Sequence, residues 1–252
     1  DKNIMHIIDS LCIACTHANL EYFGRRKSYD YCRCRDCGTV QILPVPDEKD
    51  IVEAYREEYT KTGNCQAAPE VRNKAARPQF EAIVSTLAAN ANPSCVVDYG
   101  CGWGGLLDAL AARGISAEGI ELNSEMADYC KTRGYTVHQG GLDCITQEAS
   151  YDAIVLSSVF EHLVDHAGWF ADAARVLKPG GVIVSLQPTA PFAVLGATIF
   201  RLGIKRVPLP QLHQIFCPPW HVALFSLKGM ALLAERNGFE IVEIRPAPLQ
   251  RG

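Results

Sequence analysis

From Cys95 onward, short unbroken apolar runs of strand length alternate with longer stretches that carry an apolar residue every three or four positions. The run Cys95-Val96-Val97 predicts a buried strand, and the glycine-rich stretch through Gly105 predicts a turn. Leu106, Leu107 and Leu110 follow at helical spacing, in a helix over 104–113 that Gly114 ends. Gly119-Ile120-Glu121-Leu122-Asn123 predicts a second strand closing on an acid. Ser124 and Glu125 read as the cap and first turn of the next helix. Residues 135–139 predict a third strand and 151–158 a fourth. A helix from Asp165 to Leu177 then sets Phe170, Ala174 and Leu177 on one face, and Lys178-Pro179-Gly180-Gly181 turns into a strand over 182–186. Ser226 caps a helix bearing Met230, Leu232, Leu233 and Ala234. Gly238 ends it, and 239–244 predicts a sixth strand. Upstream, Pro78 fits the first turn of a helix with the stripe Phe80, Ile83, Val84, Leu87. Strands alternating with helices in this way predict an α/β chain with a mostly parallel sheet.

Two regions break the rhythm. Residues 188–221 hold Pro188, Pro191, Pro208, Pro210, Pro218 and Pro219 with Phe192, Phe200, Phe216 and Trp220. An insertion of this length in an α/β domain is usually functional, and its place after a strand predicts a lid over the strand ends. The other reading of its apolar content is a dimer contact. The second region is residues 1–45, which contain five of the eleven cysteines. The pairs Cys12-x-x-Cys15 and Cys34-x-x-Cys37 stand eighteen residues apart, the spacing of a four-cysteine zinc site. Four thiolates surround zinc and leave no open position, so the role read here is structural. Cys32 and His17 are further candidates nearby, and two disulfides are the other reading. Residues 44–50 form a linker running into a helix, which gives the division 1–45 zinc ribbon, 46–94 helical linker or lid, and 95–252 core.

The glycine turn carries the most chemistry. Gly100, Gly102 and Gly105 satisfy G-x-G-x-x-G, a dinucleotide fingerprint that is weak alone. Asp98 sits at the strand tip, two positions earlier. A carboxylate there repels a pyrophosphate and attracts an ammonium group, so it favours a cofactor with a cationic end over a nicotinamide dinucleotide. Glu121 lies about twenty residues past the first glycine, where a carboxylate takes a pair of ribose hydroxyls. A tight structural turn is the bland alternative.

With these motifs in order, residues 95–245 resemble a class I S-adenosylmethionine-dependent methyltransferase. The resemblance implies a Rossmann-like doubly wound sheet. Asp98 and the backbone of Gly100 and Gly102 would hold the amino-acid end of S-adenosylmethionine, and Glu121 the ribose, with Leu122 beside it. Leu142 would wall the adenine and Ser157 would contact the cofactor from its strand tip. Many members carry an acid directly after the glycine that follows the third strand; here that place is Gly141, and the acid comes at Asp143. Glu161-His162-Leu163 matches a segment beside the methionine end, and His221, ahead of Phe225-Ser226, matches a histidine before the last helix. His221 or His162 is the expected general base, with Glu161 ambiguous beside them and His213 a lesser candidate. Tyr55 and Tyr59 are candidates for an N-terminal lid. Only 245–252 follow the sixth strand, too little for the seventh that the family usually adds. Similar cysteine ribbons preface methyltransferases acting on sugars, polyketides and other small molecules.

Composition narrows the rest. The net charge of −4 argues against a nucleic-acid binder, although Arg25, Arg26, Lys27, Arg33 and Arg35 cluster in the ribbon. No apolar run has membrane-spanning length, no leader is evident, and scattered thiols suit the reducing cytoplasm. The expectation is a cytoplasmic enzyme that methylates a small molecule, at oxygen first, with a homodimer possible. The alternatives are an RNA or protein methyltransferase using the basic ribbon, or a nicotinamide-dependent oxidoreductase.

Overall fold

The computed structural model describes residues 10–61, 68–202 and 215–248, with side chains of 55–61, Phe200 and Arg201 outside the described set. His213, and the side chains of Tyr55 and Tyr59, therefore lie outside the described residues. The chain forms two compact units. One takes Arg56–Phe160, Asp165–Leu186 and Arg245–Gly252; the other takes Asp1–Tyr55, Glu161–Val164 and Gln187–Ile244.

The first unit is built on a five-stranded parallel sheet. In chain order its strands are β4 (Cys95–Tyr99), β5 (Ser116–Ile120), β6 (Val137–His138), β7 (Tyr151–Ser157) and β8 (Leu177–Leu186), arranged β6-β5-β4-β7-β8. Strand order reverses at β4, whose C-terminal end is therefore a switch point of the kind where open α/β sheets bind ligands. Helices α2 (Pro69–Asn90), α3 (Gly105–Ala111), α4 (Ser124–Thr132) and α5 (His166–Val176) complete the unit. Val96, Val155 and Ala153 on the sheet pack with Leu106 and Leu110 of α3 and with Ile83, Val84 and Leu87 of α2, as the stripe predicts.

The structure corrects several local readings. The second strand runs over Ser116–Ile120, so Glu121 follows it, and Lys178-Pro179-Gly180-Gly181 lies inside β8 instead of forming a turn ahead of it. Helix α2 begins at Pro69, which occupies its first turn, and Pro78 lies inside it. One interior N–H is lost there, and the apolar stripe that follows holds the helix regardless. Asn123, with extended backbone, caps α4 by accepting from the Met126 N–H at 3.1 Å, and Ser124 is already helical. Both residues are good caps by chemistry, so the dihedral angle decides. The third strand shrinks to Val137–His138. Residues 239–244 form no strand: Ile241, Val242 and Ile244 are exposed, and β-branched residues make a strand only when a ladder pairs with them.

The second unit holds a four-stranded antiparallel sheet in the order β1 (Leu20–Arg26), β2 (Tyr29–Cys34), β3 (Val40–Leu43) and β9 (Ala223–Leu224). Its last strand comes from far along the chain. Helices α6 (Ala190–Arg201) and α7 (Leu227–Arg236) belong here, while α1 (Glu48–Lys61) follows the linker. Tyr31, Val40, Ile42 and Leu224 share a core with Ala190, Ala193 and Ile215, flanked by Phe192 and Phe216. The apolar residues that read as a lid in sequence thus supply much of the core under the cysteine-rich sheet. Residues 187–244, read as part of the α/β core, cluster with the N-terminal region. Among the described residues no helix is long and apolar enough to cross a membrane.

Candidate functional site

The loop after β4 is shaped by three glycines with left-handed backbone: Gly100 (φ +80°), Gly102 (φ +53°) and Gly104 (φ +74°). A Cβ on Gly100 would meet Val159 Cγ2 at 2.5 Å, whereas one on Gly102 would meet nothing within 4 Å. Gly102 therefore presents open backbone, the kind of surface a ligand approaches closely. Gly105, the third glycine of the fingerprint, has another job: a Cβ there would strike Phe80 and Asn73 of α2. Gly104, which the fingerprint leaves out, is the left-handed residue that starts α3. Replacing Gly100 with alanine is expected to cost about 2–4 kcal/mol, because strain and collision act together; urea unfolding measures it.

Asp98 lies at the tip of β4 and is 2% exposed. Its Oδ2 is buried with no hydrogen-bond partner. Burial, reinforced by the nearby Glu121 charge, pushes its carboxyl up to about 8. Glu121, 4% exposed, is raised by burial but better satisfied. Its Oε2 accepts from the Gly102 N–H at 2.9 Å and its Oε1 from the Asn123 N–H at 2.8 Å. A carboxylate has about four acceptor sites, so room remains for two hydroxyls. Glu121 thus pins the glycine loop as well as offering oxygens, a link that strand patterning did not reveal.

The other expected cofactor residues are spread around this end of the sheet. Leu122 is exposed directly after Glu121. Leu142 is buried in a short 3-10 turn, where its carbonyl accepts from Arg175 at 3.0 Å. Ser157 ends β7 half-buried, and the following Ser158 is left-handed at φ +59°. An orphaned buried carboxylate beside open glycine backbone fits a ligand bearing an ammonium group. The chemistry of S-adenosylmethionine meets that test.

In the second unit, Glu161, His162 and His221 come together, with one donor atom from each lying within 4.8 Å of the others. The two rings stand 5.1 Å apart, and the Val222 N–H donates to the Glu161 carbonyl at 2.8 Å. His221 Nδ1 pairs with the Ile215 carbonyl at 2.7 Å. Burial holds His162 and His221 below the usual histidine range, and burial pushes Glu161 up to about 8. His166 is separate: it is buried, with Nε2 paired to the Phe160 carbonyl at 3.1 Å.

The four ribbon cysteines also converge. Cys12, Cys15, Cys34 and Cys37 are buried with their sulfurs all within 4.8 Å, and the pairs Cys12–Cys37 and Cys15–Cys34 lie at 3.6 Å. A tetrahedron with metal–sulfur bonds of about 2.3 Å has edges of about 3.8 Å, so the set fits zinc; a disulfide would need about 2 Å. The two knuckles match. Thr16 N–H donates to Cys12 C=O and Gly38 N–H to Cys34 C=O, each at 2.8 Å, and both Thr16 and Gly38 are left-handed. Only the second turn carried its glycine signal in sequence. Cys32 is buried apart from the set, and His17 is instead paired with Asp36 at 2.8 Å. In the basic cluster, Arg25 makes two bonds to Asp30 and Arg35 one to Glu21.

Comparison with known proteins gives the family. A family model described as "Methyltransferase domain" matches residues 72–244. A ubiquinone biosynthesis O-methyltransferase of Methylococcus capsulatus is 34% identical over 95 residues, covering 34% of this chain and 40% of that one. A demethylmenaquinone methyltransferase of Tropheryma whipplei is 30% identical over 159 residues, covering 58% of this chain and 66% of that one. The chain thus spans less than two thirds of the length of these curated relatives. Among solved structures, a SAM-dependent methyltransferase from Archaeoglobus fulgidus shares the fold with a TM-score of 0.50 at 18% identity, covering 73% of both chains. The chain belongs to the methyltransferase-domain family, and its five-stranded α/β unit shares the fold of that solved structure.

Proposed function

We propose that this chain is an enzyme that transfers a methyl group from S-adenosylmethionine to a small molecule, with an oxygen acceptor favoured. The observation that carries the reading is the buried, partnerless Asp98 oxygen beside the open Gly102 backbone. The names of the quinone-biosynthesis relatives support a small-molecule acceptor, and one of them is an O-methyltransferase. When bound, S-adenosylmethionine supplies a sulfonium methyl that is electrophilic without further activation. The protein's task is to hold, align and deprotonate. Asp98 and the Gly100–Gly102 backbone hold the amino-acid end, Glu121 takes the ribose hydroxyls, and Leu122, Leu142 and Ser157 border the remainder. His221 is the first candidate base: its Nδ1 is engaged by a carbonyl, which leaves Nε2 to accept a proton. His162 is the second, with Glu161 beside it. The ribbon is proposed as a structural zinc module and the enzyme as cytoplasmic. The pairing of Arg25 and Arg35 with carboxylates gives no support to RNA binding through that face.

The reading is tested by single His221→Gln and His162→Gln variants, assayed for turnover and for S-adenosylhomocysteine affinity. The base variant should lose about 100-fold or more in turnover with cofactor affinity unchanged. Full turnover in both variants removes the proton-transfer role from these histidines.

A further inference from the structure

We propose that Glu161, His162 and His221 form a divalent-metal site of two histidines and one carboxylate, separate from the four-cysteine cluster and open to an oxygen ligand. The proposal goes beyond the transfer reading and does not need it. Three observations carry it. First, the donor atoms lie within 4.8 Å of one another, so a point within about 2.8 Å of all three exists, and coordination bonds of about 2.1 Å need only a small contraction. Second, two of the donors are left over. Glu161, 1% exposed, keeps Oε2 buried without a hydrogen-bond partner, and His162 Nε2 is likewise buried without a hydrogen bond, with Glu161 Oε1 3.9 Å away. Such groups are costly to leave unsatisfied, and one cation satisfies both. Third, His221 Nδ1 is held by the Ile215 carbonyl at 2.7 Å. That bond fixes the tautomer with the proton on Nδ1 and aims Nε2 outward, the arrangement that ligating histidines use.

The scaffold is short and well tied. Glu161 and His162 sit in one 3-10 turn, and the Val222 N–H bond to the Glu161 carbonyl holds the neighbour of His221 against that turn. Two imidazoles and a carboxylate suit zinc or ferrous iron, and three protein ligands leave positions for water or for a hydroxyl or enol oxygen of a small molecule. A metal ligand lends its nitrogen lone pair to the ion, whereas a general base keeps it free. The two roles for His221 therefore separate by experiment.

The test is metal loading of the full chain. Titration with zinc, then gel filtration and elemental analysis, should give about two equivalents per chain, and about one in Glu161→Gln and in His221→Ala. Glu161→Asp, which keeps the carboxylate, should restore part of the second equivalent. Cobalt serves as the spectroscopic probe, since cysteine ligation gives sulfur-to-metal charge-transfer absorption and an imidazole–carboxylate site does not. That absorption should persist unchanged in the Glu161 and His221 variants, which also shows that they are folded. Saturation of the parent at about one equivalent, all of it in the thiolate band, overturns the proposal. So does an unchanged second equivalent in the variants. Neither result touches S-adenosylhomocysteine binding, which is measured separately.

Discussion

Replacing Asp98 with asparagine is expected to abolish useful S-adenosylmethionine binding while making the ligand-free chain more stable. Both effects follow from one buried oxygen. Without ligand, Asp98 is 2% exposed, lacks a partner for Oδ2 and lies near the Glu121 charge, so its carboxyl keeps its proton up to about pH 8. In the unfolded chain the same group releases its proton near its ordinary value of 3.8. Between those two values the folded state binds more protons than the unfolded one, so stability falls as pH rises through the window. Asparagine has the same shape and no charge to bury. The variant should therefore match the parent near pH 4 and gain on it steadily, on the order of 5 kcal/mol by pH 8. Denaturant unfolding at several pH values measures the difference. Binding moves the other way. An ammonium group placed on Asp98 stabilises the carboxylate, so cofactor uptake releases a proton below pH 8 and affinity rises with pH until that point. Loss of one partner of a buried charge pair costs about 2–5 kcal/mol, which weakens binding by about 30-fold or more. Calorimetry in buffers of different protonation enthalpy should show the released proton in the parent and none in the variant. An Asp98→Asn chain that binds normally would move the cation site elsewhere.

How much of this was legible beforehand depended on whether the signal was local. β4, the glycine turn and α3 are specified by adjacent residues and appear within a few positions of where the pattern places them, whereas β5 ends at Ile120, so that the acid read into the strand follows it. The start of α5 at Asp165, which proves to be its cap, and the capping of α7 by Ser226 were equally local. Failures came where one residue type serves two ends. Asn123 and Ser124 are interchangeable as caps until the backbone angle is known. Pro69 and Pro78 both suit a first turn, and only packing of the stripe shows that the helix starts earlier. The 239–244 stretch has strand composition but no ladder partner among the described residues, and pairing is not written in a single segment. The largest surprise, the joining of residues 187–244 to the cysteine-rich sheet, rests on contacts across some 180 positions, such as Val40 with Leu224. Apolar content announced that the 188–221 stretch would bury something, but not what.

Those long-range contacts make the cysteine cluster the point where the second unit should fail first. Ser226 Oγ donates to the Cys37 carbonyl, Lys228 Nζ to the Asp36 carbonyl at 2.8 Å, and Arg236 to the Ala14 carbonyl at 2.8 Å. Helix α7 is thus fastened to both knuckles along its length. A Cβ at Gly229 would collide with the Thr39 hydroxyl, so the helix backbone lies directly on the second knuckle. The knuckles have little apolar core of their own, and four buried thiols do not hold a shape without a cross-link. Structural zinc contributes about 10–16 kcal/mol in small domains, as much as the whole stability of a typical domain. Cys34→Ser, or a strong chelator, is therefore expected to melt β1, β2, β3, β9 and α7 together. Hydrogen exchange followed by mass spectrometry reads this directly, as simultaneous loss of protection at Tyr29–Cys34, Val40–Leu43 and Leu227–Arg236. The parallel sheet provides the internal comparison, because its ladder and its Val96–Leu106–Leu110 core are built from other residues. Its slow amides should persist under the same treatment. If α7 keeps its protection under both treatments, hydrogen bonding and the Tyr31–Ala190–Ile215 core are enough to hold the unit, and the proposed zinc is not its organising element.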